Sequence, residues 1–559
     1  DVYTGGFSAQ YGGRISSIMD ITTRDGNKSR YAGKLSAGTF NAKALLEGPI
    51  SKGKGDNAGS SSFILSMKNS YLDQSSKNLY TYIDTGGLPY TFTDLYGKVS
   101  FNAGNGSKLN LFGFRFQDNV NYQFVSDLQW NASGFGSNFI LIPSASPTLI
   151  NGNFSYSNYG ITLQEADGKP RRSDINGFNF GLDFTYYPGK DEIKYGIEVL
   201  GFKTDFEFHN SVGRKISQVQ NTTELAGFFK YKMSKGKVLL EPSFRAHYYA
   251  SLSNFSPEPR LGGKFLATDK LRFKFAGGFY SQNLISATSD RDVVNLFYGF
   301  LSGPDNLQDE FDGKKLTHKL QKARHAILGF EYDLHENLDV NVEGYVKDFT
   351  QLTNLNRNKV FDDDADNFDR PDALKKDFII ESGKAYGVDI LFKYDHKRTY
   401  VWAVYSLGRV TRYDGEKTYS THFDRRHNVN FVVAYTFGKQ QNWEVNGRWN
   451  LGSGFPFTQT AGFFPKLDFQ DGINTNYTTQ NGDLGILYGG LNGGRLPYYH
   501  RLDVTLKRTF LISEHSRIEA LLGITNVYNR ENIFYFDRVR YERVNQLPIM
   551  PSFGLNMSF

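Results

Sequence analysis

The chain contains no cysteine. That excludes a disulfide scaffold and any thiolate metal site. No stretch approaches the roughly 18 consecutive apolar residues of a membrane-spanning helix. Hydrophobic residues make up 39% and mean hydropathy is −0.47, values that on their own describe a water-soluble chain. Charge of one sign is nowhere concentrated. The 64 basic and 58 acidic residues are interspersed for a net +6, and no basic stripe suited to nucleic acid is present. The ten histidines form no HExxH and no i, i+4 pair. G-x-S-x-G is absent, and neither a Ser–His–Asp set nor a paired-carboxylate motif stands out, so neither enzyme chemistry nor a cofactor is expected. No signal peptide begins at Asp1, and a mature or trimmed chain, or one with an upstream part left out, is expected.

What the chain has instead is aromatic residues, 48 Phe and 35 Tyr, and 57 glycines. Many fall into a two-residue rhythm. At the C-terminus Pro551, Phe553, Leu555, Met557 and Phe559 alternate with Ser552, Gly554, Asn556 and Ser558, which makes a strand with one apolar and one polar face. The same alternation recurs over Phe178–Tyr186, Leu338–Lys347 and Arg501–Lys507. From Arg30 onward the rhythm predicts 22 strands. Most exceed the usual length of about five or six residues, as strands tilted across a bilayer must.

The connections carry a second pattern. Tight turns at Ala103–Ser107, Tyr187–Asp191, Leu334–Asn337, Gly438–Gln441 and Ser513–Ser516 alternate with long polar stretches. These are Asp73–Tyr90, Asp118–Gln129, Gly160–Ser173, Ile285–Leu316, Gln351–Leu374 and Phe457–Leu496. Short turns on one side of a membrane and long loops on the other are the mark of a transmembrane barrel. The expected fold is all-β: a 22-stranded antiparallel transmembrane β-barrel of the Gram-negative outer membrane, in contact with lipid, both its ends periplasmic. A lumen that wide is not filled by wall side chains, so a plug is expected inside it. Residues 29–559 would form the barrel. Residues 1–28 would be the C-terminal remnant of a plug domain, β-rich over Ile15–Thr23.

Several stretches, each weak alone, together resemble TonB-dependent outer-membrane receptors over essentially the whole chain. Gly6-Phe7-Ser8-Ala9-Gln10-Tyr11-Gly12-Gly13-Arg14 and Asp20-Ile21-Thr22-Thr23-Arg24 look like that family's last plug strand running into its first barrel strand. Ala385–Asp389, Asp424–Asn428, Gly454–Thr458, Leu496–Asp503, Thr525–Asn529 and Pro551–Phe559 are similar to its C-terminal barrel pattern. The group with a carboxypeptidase-like regulatory extension ahead of the plug is the closest in flavour. The resemblance implies import of a ligand too large for porins, with outer loops for recognition, a plug for gating and TonB as partner. Most of that plug, and the segment that would contact TonB, are not in this sequence. Two other uses of such a barrel stay open: a scaffold for surface lipoproteins or an outer-membrane complex, and a passive pore.

Candidate site residues follow from these readings. Gly6, Tyr11, Gly12, Gly13 and Arg14 are expected at the plug–barrel junction, where glycines let backbone approach closely. Phe297, Tyr298, Phe300, Phe463, Phe464, Tyr477 and Tyr488 lie in the two large loops and could contact ligand or cap the mouth. Phe553 and Phe559 are expected to carry the C-terminal barrel-assembly signal. Asp362, Asp364 and Asp366 are weak metal candidates, because their loop lacks the Gly and terminal Glu of a calcium site. The alternative there is a solvated acidic loop. Inward charges such as Asp339, Glu343, Lys347, Arg501, Asp503 and Lys507 could line a solute path or hold the plug.

Overall fold

A computed structural model describes residues 1–559 apart from 54–57, 123–125, 145, 166–167, 211–212, 289–295, 467–482 and 539. Among the described residues, one antiparallel sheet closes on itself through 22 strands. In chain order these are β1 (Ala32–Gly38), β2 (Asn41–Ser51), β3 (Ser60–Ser70), β4 (Tyr90–Asn102), β5 (Lys108–Tyr122), β6 (Ser126–Leu141), β7 (Thr148–Glu165) and β8 (Arg171–Tyr186). Next come β9 (Glu192–His209), β10 (Lys215–Lys235), β11 (Val238–Tyr249), β12 (Asn254–Leu266), β13 (Leu271–Gln282), β14 (Gln321–His335) and β15 (Leu338–Leu355). The last are β16 (Phe378–His396), β17 (Thr399–Tyr413), β18 (His427–Phe437), β19 (Trp443–Gly452), β20 (Tyr499–Leu511), β21 (Arg517–Thr525) and β22 (Met550–Ser558). Each strand pairs with its neighbours in sequence, and β1 pairs with β22. Closure leaves no unpaired strand edge in lipid, where an unmet N–H or C=O costs several kcal/mol. No described helix is long and apolar enough to cross a membrane.

The two faces separate as the alternation requires. Phe178, Phe180, Val346, Leu522, Phe553 and Leu555 point outward and are exposed, and Leu328 is 70% exposed. In water such a belt would be unfavourable, whereas in acyl chains it is matched to its solvent. The inward positions are charged and paired with one another. Glu331 on β14 takes Lys264 at 2.7 Å, Arg272 at 3.1 Å and Lys274 at 3.2 Å. Glu343 on β15 lies 3.8 Å from Lys274. Lys507 bonds Glu444 at 2.8 Å, and Arg501 bonds Asp503 at 2.8 Å.

Four features depart from the sequence expectation. Asp118–Gln129 and Gly160–Ser173 are not long loops; β5 pairs β6 as far as Tyr122 with Ser126, and β7 pairs β8 as far as Leu163 with Arg171. Their polarity marks the end of lipid, not the end of the ladder. Short–long alternation is therefore not strict: the outer connection from Gly38 to Asn41 is tight, and β11 joins β12 through a single 3-10 turn, Ala250–Leu252. The Asp73–Tyr90 stretch contains a helix, α1 (Leu72–Leu79). Over Ile15–Thr23 only Ile18–Met19 pairs, with Val2–Tyr3, while side chains of the wall take backbone groups of Ile15, Ser16 and Thr23.

Candidate functional site

The interior is crossed by the N-terminal segment. Residues 4–16 lie on the inner face of β11–β15, and residues 23–27 lie on that of β2–β5 (hydrogen bonds below), before the chain turns into β1. Gly6, with φ +62°, brings its backbone against β13, where an added Cβ would lie 2.6 Å from the Ala276 Cβ. Gly12 sits on the Arg245 guanidinium, which would overlap any side chain there, and Gly13 has φ +65°. The Tyr11 hydroxyl donates to Asp20 at 2.8 Å, its ring lies 5.4 Å from Tyr3, and burial together with Asp20 pushes its pKa up. Arg14 donates to its neighbour's carbonyl, Gly13, at 2.7 Å. All five residues expected at the junction are therefore in one segment that touches the wall.

Apart from Lys347, the wall residues that hold this segment are not singled out by the sequence. Arg260 donates to the carbonyls of Ser8 at 2.8 Å and Tyr11 at 2.6 Å, and its guanidinium lies over the rings of Phe7 at 5.0 Å and Tyr280 at 4.2 Å. Its counter-charge is Glu258 at 2.6 Å, which also accepts from Ser281. Arg245, also buried, pairs with Glu198 at 2.6 Å and reaches the Ala9 carbonyl at 3.4 Å. The Ala9 N–H donates to Ser243 Oγ at 3.3 Å, and the Ile15 N–H to Gln282 at 3.1 Å. His325 Nε2 donates to the Ile15 carbonyl at 2.9 Å, and Lys347 donates to the carbonyls of Ser16 (3.1 Å) and Thr4. Of the two roles considered for Lys347, contact with this segment is the one observed.

On the opposite wall, Asp25 receives Lys108 at 2.7 Å, Lys98 at 3.2 Å and the Ser100 hydroxyl at 3.0 Å. Burial pushes the Asp25 carboxyl up, but these three partners together pull it further, to below its ordinary value. Arg24 forks onto Glu47, with Nη2 2.8 Å from Oε1, and the Asn27 N–H donates to the same carboxylate at 2.9 Å. The apolar contact centres on a cluster of Phe7, Ile15, Tyr280, Ala323 and Leu352, with Tyr3, Tyr11, Ile18 and Phe349 packed against it. The attachment is otherwise polar, of a kind that water can replace.

The outer loops divide. Phe297 is 2% exposed and belongs to an internal core with Phe206, Phe208, Ile161, Leu301 and Phe378. The hairpin Leu284–Ala287 with Gly299–Ser302 folds inward to build it, and Ser302 bonds Thr222 at 2.8 Å. Apolar rings in this loop bury themselves against inward-facing apolar residues that the upper wall supplies. Phe300 is partly covered by Tyr159, whereas Tyr298 is 50% exposed. Phe463, Phe464 and Tyr488 sit on a second hairpin, Thr460–Lys466 with Asp483–Tyr488. Phe463 lies 5.9 Å from Tyr541, Arg538 lies 5.4 Å over Tyr488, and Phe464 is exposed. Tyr477 falls outside the described residues.

The acidic loop uses its carboxylates internally. Asp362 bonds Arg214 at 3.3 Å, and Asp364 accepts from the Asn367 backbone at 3.1 Å. Asp366 is exposed, and among the described residues no three His, Asp or Glu side chains converge as metal ligands would. At the C-terminus Phe553 faces lipid, and Phe559 closes the seam by exchanging backbone bonds with Gly33 at 3.0 and 3.1 Å.

No family model and no curated sequence matches the chain. Solved structures do. Over its full length it superposes on the FrpB iron transporter from Neisseria meningitidis, with 13% identity, TM-score 0.68 and 86% of that chain covered. It does so on the siderophore receptor PirA from Acinetobacter baumannii with 10% identity, TM-score 0.67 and 84% covered. The outer membrane transporter YddB from Escherichia coli gives 11%, 0.65 and 84%. At these identities the shared property is the fold, a closed 22-stranded antiparallel β-barrel.

Proposed function

We propose that this chain, whose fold is that of outer-membrane transporters, is the barrel of a receptor importing a ligand too large for porins, with residues 1–28 as the tail of its gating plug. The observation that supports it is the mode of attachment inside the lumen. Arg260, Arg245, Lys347 and His325 hold the segment mainly by its backbone carbonyls. Such bonds exchange for water at little net cost, since each contributes only about 0.5–3 kcal/mol, so a pull on the segment can release it. TonB is the partner that would supply the pull, and the outer loops carrying Tyr298, Phe464 and Tyr488 would recognise the ligand. The neighbours named as an iron transporter and a siderophore receptor make ferric complexes the first probes. Cells with the protein in a porin-deficient outer membrane are offered radiolabelled ferric siderophore and ferric citrate. Saturable uptake abolished by a protonophore supports the reading. Uptake that is linear in concentration and indifferent to the protonophore would identify a passive pore instead.

A second reading, a scaffold for a surface lipoprotein or another outer-membrane subunit, is favoured by one feature. Phe464, Leu484, Leu487 and Tyr541 are exposed on outer hairpins, well away from the lipid belt. Gentle solubilisation followed by affinity capture, with and without Leu484→Glu and Leu487→Glu, tests for a partner held there.

A further inference from the structure

Three of the stretches that carry the sequence resemblance, those at Asp424–Asn428, Gly454–Thr458 and Leu496–Asp503, converge in space. Around the outer ends of β18–β21 they line a cavity of about 300 Å³ that includes Arg425, Phe455, Tyr499 and Arg530. The Arg425 guanidinium lies 4.0 Å over the Phe455 ring and 5.6 Å from that of Tyr499, and burial pulls its pKa down. Nearby carboxylates are taken by other cations. Asp424, fully buried, binds Arg495 and Arg426 and also accepts the Val410 N–H at 2.8 Å. Glu531 binds Arg543, and Asp503 binds Arg501. Arg530 donates to the Tyr498 carbonyl at 2.9 Å and has no acidic partner among the described residues. The Nε atoms of both Arg425 and Arg530 are buried with no hydrogen-bond partner. The frame around them is fixed, since Asn532 and the His500 backbone exchange bonds at 3.0 and 3.2 Å.

A guanidinium taken out of water without a counter-charge is unfavourable, and an anion delivered to it restores the balance. We propose that this cavity binds the oxyanion group of a ligand, carboxylate or phosphate, with Arg425 and Arg530 as its charged contacts and the Phe455 and Tyr499 rings keeping the Arg425 fork in place. The inference rests on the receptor reading for its biological use, but binding is measured without transport, so the two can fail separately.

The test uses the full chain in detergent micelles, titrated calorimetrically at low ionic strength with citrate, with inorganic phosphate and with diphosphoryl lipid A. Saturable binding of at least one is expected, weakened about 10- to 100-fold by Arg425→Gln or Arg530→Gln, as loss of a charge-assisted bond implies. Arg425→Lys should not restore it, because an ammonium has no planar fork to stack and present. Binding of lipid A alone would assign the oxyanion to a lipid headgroup, and binding of citrate or phosphate to a soluble ligand. Heat-modifiable gel mobility verifies that each variant is folded, and if Arg425→Gln is not, Arg530→Gln decides. Absence of binding by all three probes, or binding unchanged in the folded variants, overturns the proposal.

Discussion

Gly6→Ala separates docking of the N-terminal segment from stability of the barrel. The substituted residue would keep φ near +62°, at about 1–2 kcal/mol for a residue with a Cβ. Its Cβ would also lie 2.6 Å from the Ala276 Cβ and 3.1 Å from Ile327 Cδ1, against ordinary carbon contacts of about 3.5–4.0 Å. Ala276 is on β13 and cannot withdraw, so overpacking adds about 1–3 kcal/mol. The sum, about 2–5 kcal/mol, raises the undocked population roughly thirty- to several-thousand-fold. Ser243 is buried beneath the Ala9 N–H, and Ser243→Cys places a near-isosteric thiol there in a chain that has no other cysteine. Its labelling by a water-soluble maleimide then reports undocking, and Gly6→Ala should accelerate it by that factor. Adding Ala276→Gly removes the nearer clash and should recover part of the protection, leaving the backbone term and Ile327. Labelling within threefold of the parent, or a rate untouched by Ala276→Gly, would refute the reasoning.

Arg260→Met leaves Glu258 buried without its cation, and barrel stability by urea unfolding in lipid vesicles should fall by about 3–5 kcal/mol; Glu258→Gln in the same chain should recover most of it. The Asp25 carboxyl is lowered in the folded state. Its ties therefore contribute fully above its unfolded value and are lost as pH falls through the lower folded one. Hydrogen exchange over residues 23–27, corrected for intrinsic rates, should accelerate on acidification through that window, and in Asp25→Asn the step should vanish. Leu328→Arg places a charge on the lipid face, at a cost of about 2–4 kcal/mol if the site is near the midplane, read by the same vesicle unfolding assay.

The wall was legible because lipid imposes one rule on every strand. Apolar residues at alternate positions, as in Phe178–Tyr186, reveal both the strand and its outward face. Beyond the bilayer that rule lapses, so polar sequence at Asp118–Gln129 looked like loop although the ladder continues through it. The interior was less legible for a related reason. An inward Arg or Glu reads the same whether it meets water or a docked backbone: Glu258 and Glu198 become partners of Arg260 and Arg245 through strand register, and both arginines reach residues 8–11 only when the closed cylinder brings that segment against them. Phe297 lies in an internal core, a placement the sequence does not reveal because a ring in a loop carries no mark of which way the loop folds. The cavity at Arg425 is a product of register: its stretches stood out singly, yet their meeting depends on which strands lie side by side.

The joint between β1 and β22 has a mechanical meaning. Five register pairs hold it, from Lys34 with Ser558 to Gly38 with Gly554, whereas β9 and β10 share eighteen. A hooped cask parts at its thinnest stave, and here the thinnest one also carries the thread that runs inward to residues 23–27. Tension on that thread would bear first on the shortest join, where Phe559 and Gly33 add two further backbone bonds as a clasp.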